Sequence, residues 1–146
     1  MHDLNQLTRE VLQRGYLVTL AVQDDNGVWA ADVIYIFDED LNFYWMSKPE
    51  RRHSKAIDDG HNHVAGAIAV TQGPEMPDEG LQISGVAQRV QNPSDDLLKQ
   101  WMKKMQRAFD SGLGIVLDEH VWYKLVPDRI ELIYQKLFEY ERQWVR

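Results

Sequence analysis

Lys48, Arg51, Arg52 and Lys55 fall close together in the chain, and only Glu50 opposes them. Elsewhere the balance is acidic: 16 Lys and Arg stand against 23 Asp and Glu, a net charge of −7. The run is therefore a local basic field on an acidic background. His53 lies inside it, and Ser47 and Ser54 add neutral donors. Pro49 suits the first turn of a helix, Glu50–Asp59 can form one, and Gly60 closes it. A helix start offers free N–H groups and partial positive charge, so the cluster reads as an anion site, for phosphate above all. It reads equally as a solvated basic helix face.

Other constellations carry less chemistry. His61 and His63 alternate, which on a strand aims both imidazoles the same way, with Asp58 and Asp59 nearby. A metal ion needs three or four convergent ligands, and surface residues at a helix–strand turn explain this group better, so no metal is expected. There is no Gly-x-Ser-x-Gly and no glycine-rich lysine loop, so serine hydrolase and P-loop readings lack support. Gly80, Gly85, Gly112 and Gly114 match no dinucleotide fingerprint and read as turns and close strand packing. The chain has no cysteine, which excludes disulfides, thiolate metal sites and Cys nucleophiles.

The elements that must position the basic cluster follow from periodicity. Leu4, Leu7, Val11 and Leu12 share one face of a helix over 4–14, stopped at Gly15. Tyr16–Val22 alternates as a strand. Asn26-Gly27 tolerates the positive φ of a tight hairpin, and Val28–Phe37 is the return strand. Asp38–Asp40 turns into a third strand, Leu41–Ser47. Beyond the helix at 50–59 lie strands His63–Thr71 and Leu81–Val90, separated by a Gly/Pro-rich loop. Asn92-Pro93 reads as a cap opening a helix to about Phe109. Val121–Val126 and Arg129–Tyr134 are two last strands joined at Pro127-Asp128. Trp29 and Trp45 are expected in the core, and Trp101, Met102, Met105 and Phe109 should pack the third helix on the barrel. The tail 135–146 is ambiguous in type. Its Leu137, Phe138, Tyr140, Trp144 and Val145 expose too much apolar surface for water, so it should dock on the barrel or on a partner subunit. Short turns between adjacent strands require antiparallel pairing. The expected fold is mainly β (α+β), a six- to seven-stranded antiparallel barrel with peripheral helices.

At 146 residues the chain can bury about two-thirds of its surface, enough for one core and a single domain over 1–146. No apolar run approaches the ~18 residues of a membrane helix. The start MHDLNQ lacks the pattern of a signal peptide, so a cytoplasmic setting is expected. The acidic balance offers no broad field for nucleic acid.

Taken in order, these segments resemble the pyridoxamine 5′-phosphate oxidase-like, FMN-binding split β-barrel family, in a small bacterial branch. The resemblance is carried by the hairpin Thr19–Ile36, by Leu41–Ser47 with its basic helix, and by Val64–Val70. Ile83-Ser-Gly85-Val-Ala87 and the stretch Trp122–Ile130 complete it, over roughly residues 5 to 135. It implies a homodimer with FMN at the interface. The FMN phosphate would meet Ser47, Arg52, His53 and Lys55, and its ring would lie along Asp32, Val33 and Ile34. Trp122 would be the aromatic residue contributed across the interface. Two positions depart from the family's pattern. His53 stands where Ser or Thr is usual, and Asp32 puts a carboxylate on the strand facing the flavin, where it is compatible only if it meets the ring's N–H groups. The implied activity is flavin-based electron exchange between a reduced nicotinamide donor and a small-molecule acceptor, with no acid or base identified. The alternative is a non-catalytic dimeric ligand-binding or structural split-barrel protein without flavin. An oxidase of pyridoxamine phosphate itself is disfavoured, because the paired basic and aromatic substrate residues near the C-terminus are missing.

Overall fold

The hairpin at Asn26-Gly27 organises the first half of the sheet. Gly27 takes φ +115°, a conformation a residue with a Cβ adopts only under strain. It joins β1 (Leu17–Asp24) to β2 (Gly27–Ile34) in an unbroken antiparallel ladder. The structure, a computed structural model, describes residues 2–91, 93–105 and 119–146. The return strand is not continuous to Phe37: it breaks at Tyr35, and Ile36–Phe37 forms a separate short strand, β3. The remaining strands are β4 (Phe43–Ser47), β5 (His63–Ala69), β6 (Glu79–Val90), β7 (Val121–Tyr134) and β8 (Gln143–Trp144). Helices α1 (Leu4–Arg14), α2 (Arg52–Asp58), α3 (Asp95–Lys104) and α4 (Gln135–Phe138) surround them.

All strands join one antiparallel sheet in the order β2-β1-β5-β6-β7-β4-β3, with β8 added beside β7. The sheet curls until β2 and β4 approach each other without pairing. That gap makes the barrel a split one, as the sequence led us to expect. Inward residues alternate along each strand, with Val18, Leu20 and Val22 of β1 facing Val64 and Ile68 of β5 and Ile83 of β6 in the core. Helix α1 covers this core with Val11 and Leu12, and the Tyr35 hydroxyl donates to the Leu12 carbonyl at 2.7 Å. Burying each such aliphatic side chain is worth roughly 1.5–3 kcal/mol. Trp45 is fully buried, but Trp29, expected in the core, is 47% exposed because β2 is the sheet's other edge.

Two further expectations are corrected, and the tail takes one of its two expected places. The segments 121–126 and 129–134 form one strand, β7, rather than two. Pro127 lies opposite Gly85 at a register shift between Ser84 and Gly85, a bulge that tolerates a residue without an N–H. A Cβ on Gly85 would lie 2.2 Å from the Val126 carbonyl oxygen, so only glycine fits there. The third helix begins at Asp95 with Ser94 as its cap, the Ser94 hydroxyl accepting from Leu97 N–H at 3.3 Å. Its expected extension to Phe109, like Asn92, lies outside the described residues. The tail docks on its own barrel: Val145 N–H donates to the Ile130 carbonyl at 2.9 Å, and Ile130 N–H to the Arg146 carbonyl at 3.0 Å. Among the described residues, no helix is long and apolar enough to cross a membrane.

Candidate functional site

The gap between β2 and β4 is a cavity of 520 Å³. Its floor is apolar, built from Leu17 of β1, Val33 and Ile34 of β2, and Met46 of β4. Trp101 and Met105, from the end of α3, form one wall. Ser47, Lys48, Arg51 and His53 line the cavity where β4 runs into α2, and His120 lines it beside β7. The cleft thus pairs an apolar slot with a group of hydrogen-bond donors and cations.

Ser47 Oγ lies 2.8 Å from His53 Nε2, and both side chains are almost completely buried. Burial first, and the Arg51 guanidinium second, push the His53 pKa below its ordinary value. The imidazole is therefore neutral at neutral pH and has one N–H to donate. Lys48 Nζ sits 3.5 Å from Glu119 Oε2, a loose and exposed pair. On β2, Asp32 accepts from Thr19 Oγ1 at 2.6 Å.

The expected phosphate ligands divide between two places. Ser47 and His53 line the cleft together with Asp32, Val33 and Ile34. Arg52 and Lys55 share a helix face, as their spacing requires, but that face lies over the β1–β2 turn in a separate depression with Asp25, Glu50, Asp59 and His61. Arg52 grips Asp24 with Nε and Nη2 at 2.9 and 3.0 Å, and its guanidinium stacks 4.8 Å from the Trp29 ring centre. Arg52 in turn holds the Asp24 carboxyl below the usual carboxylate range. The cations that do reach the cleft are Lys48 and Arg51, members of the basic run outside the expected phosphate set. Arg51 caps α2 in extended conformation, outside the helical face pattern. Trp122 does not line the cleft. It is 5% exposed and packs edge-on against Trp101, ring centres 6.3 Å apart.

The two histidines of the His-x-His pair go separate ways. His61 lies 3.6 Å from Asp25, and His63 lies 3.2 Å from Asp128, which also accepts from Ser84 Oγ at 2.9 Å. Among the described residues no three metal-ligating side chains converge.

No family model matches the chain. It is similar in sequence to the UPF0306 protein YhbP of Escherichia coli O157:H7, 26% identical over 148 residues, covering 100% of this chain and 95% of that protein. In structure it is similar to a putative pyridoxamine 5′-phosphate oxidase from Listeria innocua, with TM-score 0.65 and 20% identity over 90% of this chain and 98% of that one. It is also similar to HutZ, the heme storage protein of Vibrio cholerae, with TM-score 0.68 and 14% identity over 88% and 94% of the two chains. This chain and both solved structures share the same split-barrel fold.

Proposed function

We propose that the β2/β4 cleft binds FMN and that the protein is a flavoprotein. One observation carries the reading: an apolar slot and a cluster of phosphate donors meet in a single cavity of 520 Å³, within the ~300–1,000 Å³ range of small-ligand sites. The donor set suits a phosphate monoester. Ser47 and neutral His53 supply hydrogen bonds, and Arg51 and Lys48 supply charge. Asp32, Val33 and Ile34 would run beside the ring, with Asp32 an acceptor for its N–H groups. Bound flavin would supply hydride or electron transfer, while this chain positions the ring and excludes water. Arg52 and Lys55 take no part in this arrangement, and Trp122 acts through Trp101 rather than by contact.

The outer face of the sheet supports a homodimer. Ala30, Ala21 and Ala65 are neighbours across β2, β1 and β5, and Thr19 lies beside Ala67. This face of small side chains is exposed and flanked by Leu17 and Val28. A stable pairing of such faces buries on the order of 2,000 Å².

The first test is the visible spectrum of the purified protein, alone and after adding FMN. Flavin absorbance that stays with the protein through gel filtration supports the reading. The likeness to HutZ gives a second reading, heme in the same cleft, whose mark is a Soret band after adding hemin. A preparation that retains neither chromophore leaves a split barrel with another ligand or a purely structural role.

A further inference from the structure

Among the described residues, strand β3 ends the sheet and its outer edge has no strand partner. Helix α3 covers that edge with side chains. Phe37 N–H donates to Gln100 Oε1 at 2.9 Å, and Gln100 Nε2 donates to the Phe37 carbonyl at 2.8 Å. One side-chain amide thus stands where a neighbouring strand's peptide would. One turn further on, Lys104 Nζ donates to the Tyr35 carbonyl at 2.5 Å. Residues four apart share a helix face, so Gln100 and Lys104 form a polar row along that covered edge.

The adjacent face of the same helix belongs to the cleft. Trp101 and Met105 form its wall, Trp101 rests on Trp122, and the Tyr16 hydroxyl lies 3.8 Å from Met105 Sδ. The contact between the two indoles is apolar and less directional than a hydrogen bond. The Gln100 amide fixes the position along the helix axis, because both of its bonds to Phe37 keep their length only at one axial setting.

We propose that Gln100 is a positioning residue for the cleft. Its paired bonds to the edge of β3 seat α3 so that Trp101 and Met105 close one wall, and this seating sets how tightly the cleft holds a planar ligand. The inference rests on the reading that FMN occupies the cleft. Unseated, α3 leaves the floor residue Met46 open to solvent and removes apolar contact from the ring. Losing two net hydrogen bonds lowers the fraction of molecules with α3 seated, and the apparent affinity falls with that fraction, by about tenfold.

Gln100→Leu tests this: it keeps a good helix former of similar length and removes both bonds. Gln100→Glu is a second variant, isosteric, with a carboxylate set against the Phe37 carbonyl. Three quantities are measured: FMN affinity, the rate at which peroxide oxidises Met46 in the unliganded protein (read by peptide mass mapping), and the unfolding midpoint. Arg142→Ala, which breaks an exposed bond to Gln82 outside the cleft's lining, is the control. Expected are about tenfold weaker FMN binding and several-fold faster Met46 oxidation in both Gln100 variants, and neither change in Arg142→Ala at a matched fall in midpoint. Wild-type FMN affinity or a wild-type Met46 rate in a folded Gln100 variant overturns the inference. If wild-type protein takes up no FMN, the flavin reading fails on its own, and the Met46 rate decides the inference about α3: faster oxidation upholds it and an unchanged rate overturns it.

Discussion

His53 Nε2 and Ser47 Oγ lie 2.8 Å apart at the point where β4 hands the chain to α2. The pair joins the floor of the cleft to its polar end, and its burial keeps the imidazole neutral. In the proposed FMN complex, neutral His53 would meet a phosphate oxygen by donation rather than by charge, and the charge would come from Arg51 and Lys48.

The lowered His53 pKa fixes a sign for stability. Between the folded value and the ordinary value of 6.5 the unfolded chain binds more protons than the folded one. Stability therefore rises with pH through that window, and below it the penalty for charging the buried ring is complete. We expect His53→Gln to flatten the wild-type fall in unfolding free energy below pH 6.5. Denaturant titrations at a series of pH values measure it. Added FMN should also reduce the fall, because phosphate favours the imidazolium.

Lys104 gives the same sign in a different window. Burial pulls its pKa from 10.5 down to about 7. The folded state then holds fewer protons than the unfolded state between those values, so stability gains from Lys104 as pH rises from 7 towards 10.5. Against Lys104→Met, the wild type should be relatively weakest below pH 7 and recover steadily on the alkaline side. Parallel curves for the two proteins would show that the carbonyl of Tyr35 and the ring beneath the ammonium, 3.4 Å from it, offset the burial.

Gly85→Ala should cost roughly 3 kcal/mol, the upper end for forcing atoms into filled space. The added Cβ meets the Val126 carbonyl oxygen, which belongs to backbone and cannot swing aside. Chemical denaturation measures the loss, and Gly73→Ala, where a Cβ meets nothing, is the comparison that should stay near wild type.

These sites show what the sequence makes legible. Local chemistry revealed itself: Asn26-Gly27 turned the first hairpin, Gly15 closed α1, and alternating Val18, Leu20 and Val22 pointed into the core. Long-range pairing did not. Pro127-Asp128 carries turn chemistry, but β6 pairs with β7 on both sides of it and turns the break into a bulge. The facing of α2 was hidden for a different reason. Cations at 51, 52 and 55 surround the helix, and its buried side includes His53 and Ser54, polar residues that read as surface. Only the packing shows that Arg52 and Lys55 face the β1–β2 turn while Arg51 reaches the cleft.

On the proposed reading the Arg52–Asp24 clasp is structural. Arg52→Ala should lower the unfolding midpoint, and in an Asp24→Asn background it should lower it less, as a double-mutant cycle would show. A cycle with no coupling would mean that the Trp29 stacking, not the ion pair, carries the contribution of Arg52.

The most direct measurement compares FMN with riboflavin, which has the same ring and no phosphate, in two double variants. Charge-assisted hydrogen bonds contribute roughly 1.5–3 kcal/mol each. Lys48→Ala/Arg51→Ala should therefore weaken FMN by about 100-fold or more while changing riboflavin far less. Arg52→Ala/Lys55→Ala should leave both affinities near wild type. FMN bound as tightly by the Lys48/Arg51 variant as by wild type, or lost in the Arg52/Lys55 variant instead, would contradict the placement of the phosphate in the β2/β4 cleft.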